Sequence, residues 1–467
     1  MTVDLLIKDG TVVSFAGVSK TDIAIRGEQI VALGHKSAFP DAARVLDAKG
    51  KIVIPGGVDP HTHFDLTDPR IAESWSVDSV AAAIGGTTTV IDHALQKKGE
   101  SLMDAVRKQR RTAQERSAVD YATRPVITDF TDLEKLLDSM REVVDYGIPH
   151  FIGTTWCAPT GGFQNDWQLY CVLRRVKELD ALMTLGAING AIGQGRRTEC
   201  VKQGKTDPVY HAVSGASFLE EMDITKCMML AEALGARVYI QQATTPNSPD
   251  IIDQYRQKGL PVFCEGNPPH LLLTDDLYEP KFPRAAVYVM TPPLRKKADI
   301  EGLWKAVLAG KVQVIGSDHC GFSKAQNDER SASFVDIPNG CAGCEARVPL
   351  MFHEGVLKRG LSLHRFVELI ATNPAKIHGL YPKKGVIAPG SDADIVIFDP
   401  DKKHSLNAKD LHEGTDVSAY EGMEVTGWPM VTILRGKVIV ENEKFLGTCG
   451  QGQFVKGKIA SDIVASV

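Results

Sequence analysis

Two histidines one residue apart, His61 and His63, close the run Ile54-Pro55-Gly56-Gly57-Val58-Asp59-Pro60. Side chains alternate along a strand, so this spacing points both imidazoles to one side. Paired imidazoles at a strand end suit a divalent ion such as zinc; the plainer alternative is two incidental surface histidines. A second run, Val312-Gln313-Val314-Ile315-Gly316-Ser317, ends in Asp318. A carboxylate there can ligate a metal and take a proton from water, with a helix-capping aspartate as the alternative. Asp318 is therefore the candidate catalytic residue, and His61, His63 and Asp318 are the candidate metal ligands. His93, after Val90-Ile91-Asp92, and Cys157 are possible additional ligands. Against these stand a packed histidine and a small buried thiol. Cys341-Ala342-Gly343-Cys344 is a lone Cys-x-x-Cys, for which two packed or exposed thiols is the simpler reading. His319 follows Asp318, points away from it by alternation, and is expected to be structural.

These residues need strands to hold them. Before residue 52 the chain shows short apolar runs broken by Gly and Asp: Leu5–Ile7, Thr11–Val13, Asp22–Ile25 and Gln29–Leu33. They predict a small β-unit. From Ile52 to about residue 385, strand-like runs alternate with longer helical stretches; Thr87–Ile91, Ala181–Leu185, Val238–Ile240, Val287–Met290 and Val312–Ile315 are examples. That alternation predicts an α/β fold with a parallel sheet, and its length suits a (β/α)8 barrel. An open doubly wound sheet is the rival, and no GxGxxG follows a first strand to favour it. After Gly385 the β-pattern returns, with a hairpin signal at Arg435-Gly436-Lys437. The expected division is a β-sandwich from residues 1–54 and 386–467 beside a barrel of residues 55–385. The polar tail after Gly447 is expected to wrap a neighbouring subunit or to be mobile.

The 467 residues are 43% hydrophobic and 24% charged, an ordinary globular balance. A net charge of −5 gives no reason to expect nucleic acid as a partner. The N-terminus does not read as a signal peptide, and no apolar run is long enough to span a membrane. Nine scattered cysteines suit reduced thiols and a cytoplasmic setting.

In order along the chain, these segments resemble the amidohydrolase superfamily, in its hydantoinase, dihydropyrimidinase and allantoinase branch. The resemblance is carried by His61-Thr62-His63, Gly85-Gly86-Thr87-Thr88, the run from Glu265 to Thr274, Thr291-Pro292-Pro293-Leu294-Arg295 and Ser317-Asp318-His319. Pro338-Asn339-Gly340, Glu345-Ala346-Arg347, Asn373-Pro374-Ala375-Lys376 and Gly390-Ser391-Asp392-Ala393-Asp394 complete it. The resemblance implies hydrolysis of a cyclic amide by metal-activated water. In it Asp318 matches the residue that moves the proton, and Thr291 and Asn339 match positions that hold the ring amide. It also implies a homotetramer or dimer.

The family's paired-metal centre uses six ligands, and by the same resemblance three are missing here. Ile152, in the segment assigned to the third strand, stands where a carboxylated lysine bridges the ions. Gly186 and Gln242 stand where single histidines end the fifth and sixth strands. Two neighbouring divalent ions need anionic bridging, so the expectation is one ion on His61, His63 and Asp318, zinc ahead of manganese or iron, with a metal-free site as the alternative. The expected function is hydrolysis of a C–N bond in a hydantoin- or dihydropyrimidine-like ring. The alternatives are a scaffold or binding protein, as in the collapsin response mediator family, and a lyase or decarboxylase on a related ring. Phe64, Leu66, Trp156 and Phe163 are expected to shape an apolar pocket.

Overall fold

The structure, a computed structural model, describes residues 3–14, 17–35, 38, 41–64, 74–156, 162–329 and 332–467. Leu66 and Cys157 lie outside the described residues.

The N-terminal runs form β1 (Val3–Lys8), β2 (Thr11–Ser14), β3 (Gly17–Lys20), β4 (Asp22–Arg26), β5 (Gln29–Gly34), β6 (Ala42–Asp47) and β7 (Ile52–Pro55). β5, β4, β1 and β6 make one sheet. The other is made by β2, β3 and β7 with strands from the far end of the chain, β16 (Ile395–Leu406), β17 (Met423–Leu434), β18 (Lys437–Glu441) and β19 (Lys444–Phe445). Leu5, Ile7, Ile23 and Ile25 from the first sheet share one apolar core with Val12, Val53, Ile395 and Ile433 from the second. At the β17–β18 hairpin Arg435 and Gly436 both have positive φ, 45° and 76°, as a tight two-residue turn requires.

Eight parallel strands follow one another round the barrel: β8 (Gly57–Thr62), β9 (Thr87–Leu95), β10 (Asp120–Val126), β11 (His150–Thr154), β12 (Leu182–Gly186), β13 (Arg237–Gln241), β14 (Val262–Gly266) and β15 (Val314–Ile315). The first and last are joined by a parallel bridge between Thr62 and His319 and by the Ser317 hydroxyl, which donates to the His61 carbonyl at 3.1 Å. The buried Arg347 guanidinium donates to the carbonyl of Ile315 at 2.9 Å and lies 3.3 Å from the Asp59 carboxylate. It ties the same seam from outside.

Two sequence expectations shift. His150–Thr154 is the fourth barrel strand, not the third, because Asp120–Val126 forms a strand despite its Asp, Arg and Pro. Both of its charged side chains find buried partners. Glu265 accordingly lies within the seventh strand. Val287–Met290 is not a strand; a short 3-10 turn spans Ala286–Tyr288.

The C-terminal tail packs against its own barrel. Val455 donates its N–H to the Tyr121 carbonyl at 2.8 Å, and Ile459 and Ile463 pack on Leu182, Tyr239, Phe263, Val314 and Ile377. The tail thus seals the N-terminal end of the barrel and leaves the opposite end as the mouth. A buried ion cluster ties barrel to sheets: Lys384 Nζ lies 2.5 Å from Asp120, 2.9 Å from Asp392 and 2.7 Å from Asp394, and Arg435 also meets Asp120. Among the described residues no helix is long and apolar enough to cross a membrane.

Candidate active site

His61 ends β8 with no solvent exposure. Its Nδ1 lies 2.6 Å from Glu265 Oε1, on β14. Glu265 is held in turn by the Tyr239 hydroxyl from β13 and by the Asn267 amide at 3.0 Å. A carboxylate on Nδ1 fixes the ring and leaves Nε2 as the outward-facing nitrogen. That nitrogen has no hydrogen-bond partner and sits 3.1 Å from Asp318 Oδ1. Just past the strand, His63 brings its own Nε2 to 3.1 Å from the same oxygen.

Two imidazole nitrogens beside one carboxylate oxygen could hold a metal ion, the His63 contact being a hydrogen bond here. Ligand atoms around a tetrahedral ion with bonds of about 2.0–2.1 Å stand roughly 3.3 Å apart. The observed 3.1 Å separations fit that edge. The electrostatics agree. Burial alone would raise Asp318, yet His61 and His63 hold its carboxyl below its ordinary value. Burial would likewise raise Glu265, and His61, Tyr239 and Asn267 reverse it. Burial would lower His61, but the carboxylates of Glu265 and Asp318 raise it, whereas in His63 burial prevails and lowers it. Two buried carboxylates, Glu265 and Asp318, thus face the imidazoles of His61 and His63.

His93, on β9, completes a group of three imidazoles with His61 and His63 whose ligand atoms lie within 4.8 Å of one another. Its ring stacks on His63 with centroids 4.4 Å apart and planes inclined by 3°. Burial, aided by His63 and Arg124, holds it well below the ordinary histidine value.

The three positions where the resemblance lacks ligands are filled by other means. Ile152 is buried on β11, in register with Thr184 on β12. At Gly186 a Cβ atom would meet the Trp156 ring at 2.9 Å and 3.1 Å, so the indole occupies the space a side chain would need. Gln242 donates its amide to Asp318 Oδ2.

On the substrate side, the Thr291 hydroxyl donates to Asn339 Oδ1 at 2.7 Å, which brings the two expected binding residues together. Of the expected pocket residues, Trp156 is half-buried beside Gly186. Phe64 packs against Trp75 and His319, and Phe163 against Phe130, both in the core.

Cys341 and Cys344 are free and buried, and burial pushes both thiols up, so they stay protonated. His319, Cys344 and Glu413 cluster closely, but the His319 Nδ1 accepts the N–H groups of Gly343 and Cys344 at 3.1 Å and 3.2 Å. Donors aimed at that nitrogen repel a cation, and His319 is structural. Asp120, Asp392 and Asp394 already enclose the Lys384 ammonium.

Sequence reasoning placed Glu265 only within a motif that carries the resemblance and noted Gln242 only as a lost histidine. It passed over Tyr239 and Arg124 altogether. Nothing local marks them, because their partners come from other strands.

The amidohydrolase family profile matches residues 52–439. The chain is 37% identical over 456 residues to a D-hydantoinase of Geobacillus stearothermophilus, covering 97% of this chain and 96% of that one. It is 34% identical over 460 residues to a D-phenylhydantoinase of Escherichia coli, covering 97% and 98%. Among solved structures it superposes on a dihydropyrimidinase from Brevibacillus agri with a TM-score of 0.93 at 34% identity, covering 97% of this chain and 99% of the other. On this agreement across nearly the whole length, the chain belongs to the amidohydrolase family, in its hydantoinase and dihydropyrimidinase branch.

Proposed function

We propose that this protein hydrolyses a C–N bond of a cyclic amide or imide of the hydantoin or dihydropyrimidine type, with one divalent ion, zinc first, held by His61, His63 and Asp318. The observation that carries the reading is the convergence of both Nε2 atoms on Asp318 Oδ1, at 3.1 Å each. A divalent ion bound there lowers the pKa of water and polarises the ring carbonyl.

The chain's own groups supply the rest. Asp318, kept ionised by its imidazole neighbours, accepts a proton from the attacking water. As the C–N bond breaks it delivers that proton to the leaving ring nitrogen, so water is added across the bond. Gln242 steadies the second carboxylate oxygen, and Thr291 with Asn339 holds the ring amide.

Ile152 and the Trp156-filled space at Gly186 favour one ion over two, and equally suit the second reading, a metal-free relative that binds or cleaves a related ring. Elemental analysis of chelator-free protein, beside His61→Ala and Asp318→Ala, separates them. One ion per chain, lost in both variants together with turnover of hydantoin or dihydrouracil, supports the hydrolase. No ion after reconstitution with zinc, manganese or iron overturns it.

The reading includes self-association as a dimer or tetramer. Trp167, Ile192, Phe218, Met222 and Met229 are exposed large apolar side chains on helices 166–178, 190–202 and 217–234, the last of which packs against the other two. Exposed apolar side chains on neighbouring helices suit a second copy, and light scattering reads the mass directly.

A further inference from the structure

Arg124 projects from β10 into the barrel with no solvent exposure, in register with His93. One terminal nitrogen donates to the Thr184 hydroxyl at 3.0 Å. The other donates to the Pro60 carbonyl at 3.0 Å and lies 3.1 Å from His93 Nε2. A guanidinium only donates, so His93 Nε2 must accept. The opposite nitrogen, Nδ1, lies 2.7 Å from the Thr62 carbonyl, which only accepts, so Nδ1 must carry the proton. Both nitrogens of a neutral ring are then committed, and neither offers a lone pair to an ion.

We propose that Arg124 and His93 form a positioning pair: Arg124 holds His93 out of the metal's coordination sphere, as a flat spacer against the His63 ring, and keeps a fixed guanidinium charge beneath the site. This inference rests on the one-ion reading above and specifies which of the three clustered imidazoles bind. A buried guanidinium there also opposes the entry of a further cation.

The test uses the full chain loaded with cobalt(II), whose visible absorption reports the number and kind of its ligands, together with zinc affinity by chelator competition. His93→Gln retains an acceptor for Arg124. It is expected to keep one ion per chain and the parent cobalt spectrum, with affinity reduced by no more than about tenfold, the lower end of what a lost supporting contact costs. Arg124→Met releases His93 Nε2. It is expected to shift the cobalt bands and tighten zinc binding, and adding His93→Gln is expected to cancel both effects. Loss of the ion or a changed spectrum in His93→Gln, with the parent holding one ion, overturns this inference alone. So does a folded Arg124→Met whose spectrum and affinity match the parent. If Arg124→Met does not fold, His93→Gln decides. A parent that takes up no ion overturns the one-ion reading and this inference with it.

Discussion

Gln242 donates its side-chain amide to Asp318 Oδ2, and both residues hold a left-handed backbone, with φ of 58° and 54°. Such conformations are uncommon outside glycine and gather at functional sites. Each residue lies just past the end of a barrel strand, where the backbone turn aims its side chain across the mouth.

Removing that donor tests the relationship. A hydrogen bond to a charged group contributes about 1.5–3 kcal/mol, so Gln242→Ala is expected to lower kcat roughly 10- to 100-fold. Gln242→Glu places a second carboxylate against Asp318 and is expected to cost more than Gln242→Ala. Steady-state rates for the two variants check the order.

Glu265 aims His61 without facing the mouth itself. Glu265→Gln weakens the bond to Nδ1 and is expected to lower metal affinity by about 10–100-fold, the usual cost of a lost outer-shell partner. Activity assayed at rising metal concentration should recover towards the parent value. A variant that binds metal as tightly as the parent contradicts the role given to Glu265.

Gly186→His recreates the residue type that the resemblance leads one to expect there, yet its Cβ would meet Trp156 at 2.9 Å. The expected outcome is a stability loss of about 1–3 kcal/mol from overpacking, with no second ion in elemental analysis. Trp156→Ala in the same chain should restore much of the stability. A second ion in Gly186→His alone contradicts the account of how that space is filled.

Acid should destabilise the fold through its buried histidines. Burial, with Arg124 nearby, lowers His150 to about 3, and burial, with Arg197 nearby, lowers His211 to about 3. Their folded values lie below the unfolded value of 6.5. The unfolded chain therefore binds more protons throughout that window. Each histidine's contribution is complete above pH 6.5 and is lost as pH falls towards 3, at about 1.4 kcal/mol per pH unit. His211→Gln removes one such group, so its stability deficit against the parent, read from denaturation midpoints, should shrink between pH 7 and pH 4.5. A constant deficit would show that His211 is not held neutral.

Much of the architecture and part of the candidate site were legible in the chain. The alternation of strand and helix, the turn at Arg435-Gly436 and the His61-Thr62-His63 spacing are local signals. Local backbone preference and side-chain alternation determine what they mean. The strand-like run before Asp318 marked that residue in the same way, and the resemblance added Thr291 and Asn339.

What stayed hidden depends on partners distant in sequence. Asp120–Val126 did not read as a strand because its Asp and Arg are tolerable inside only through Lys384, Arg435, Thr184 and His93. Glu265 and Tyr239 become a device for aiming His61 only when β13, β14 and β8 close into one barrel. The same closure sets Trp156 over Gly186 and Gln242 against Asp318. Residue type and spacing determined that metal chemistry was available to this chain. Which nitrogens remain free for an ion was decided by the tertiary structure, because a lone pair is available only where no neighbouring strand has already supplied its hydrogen bond.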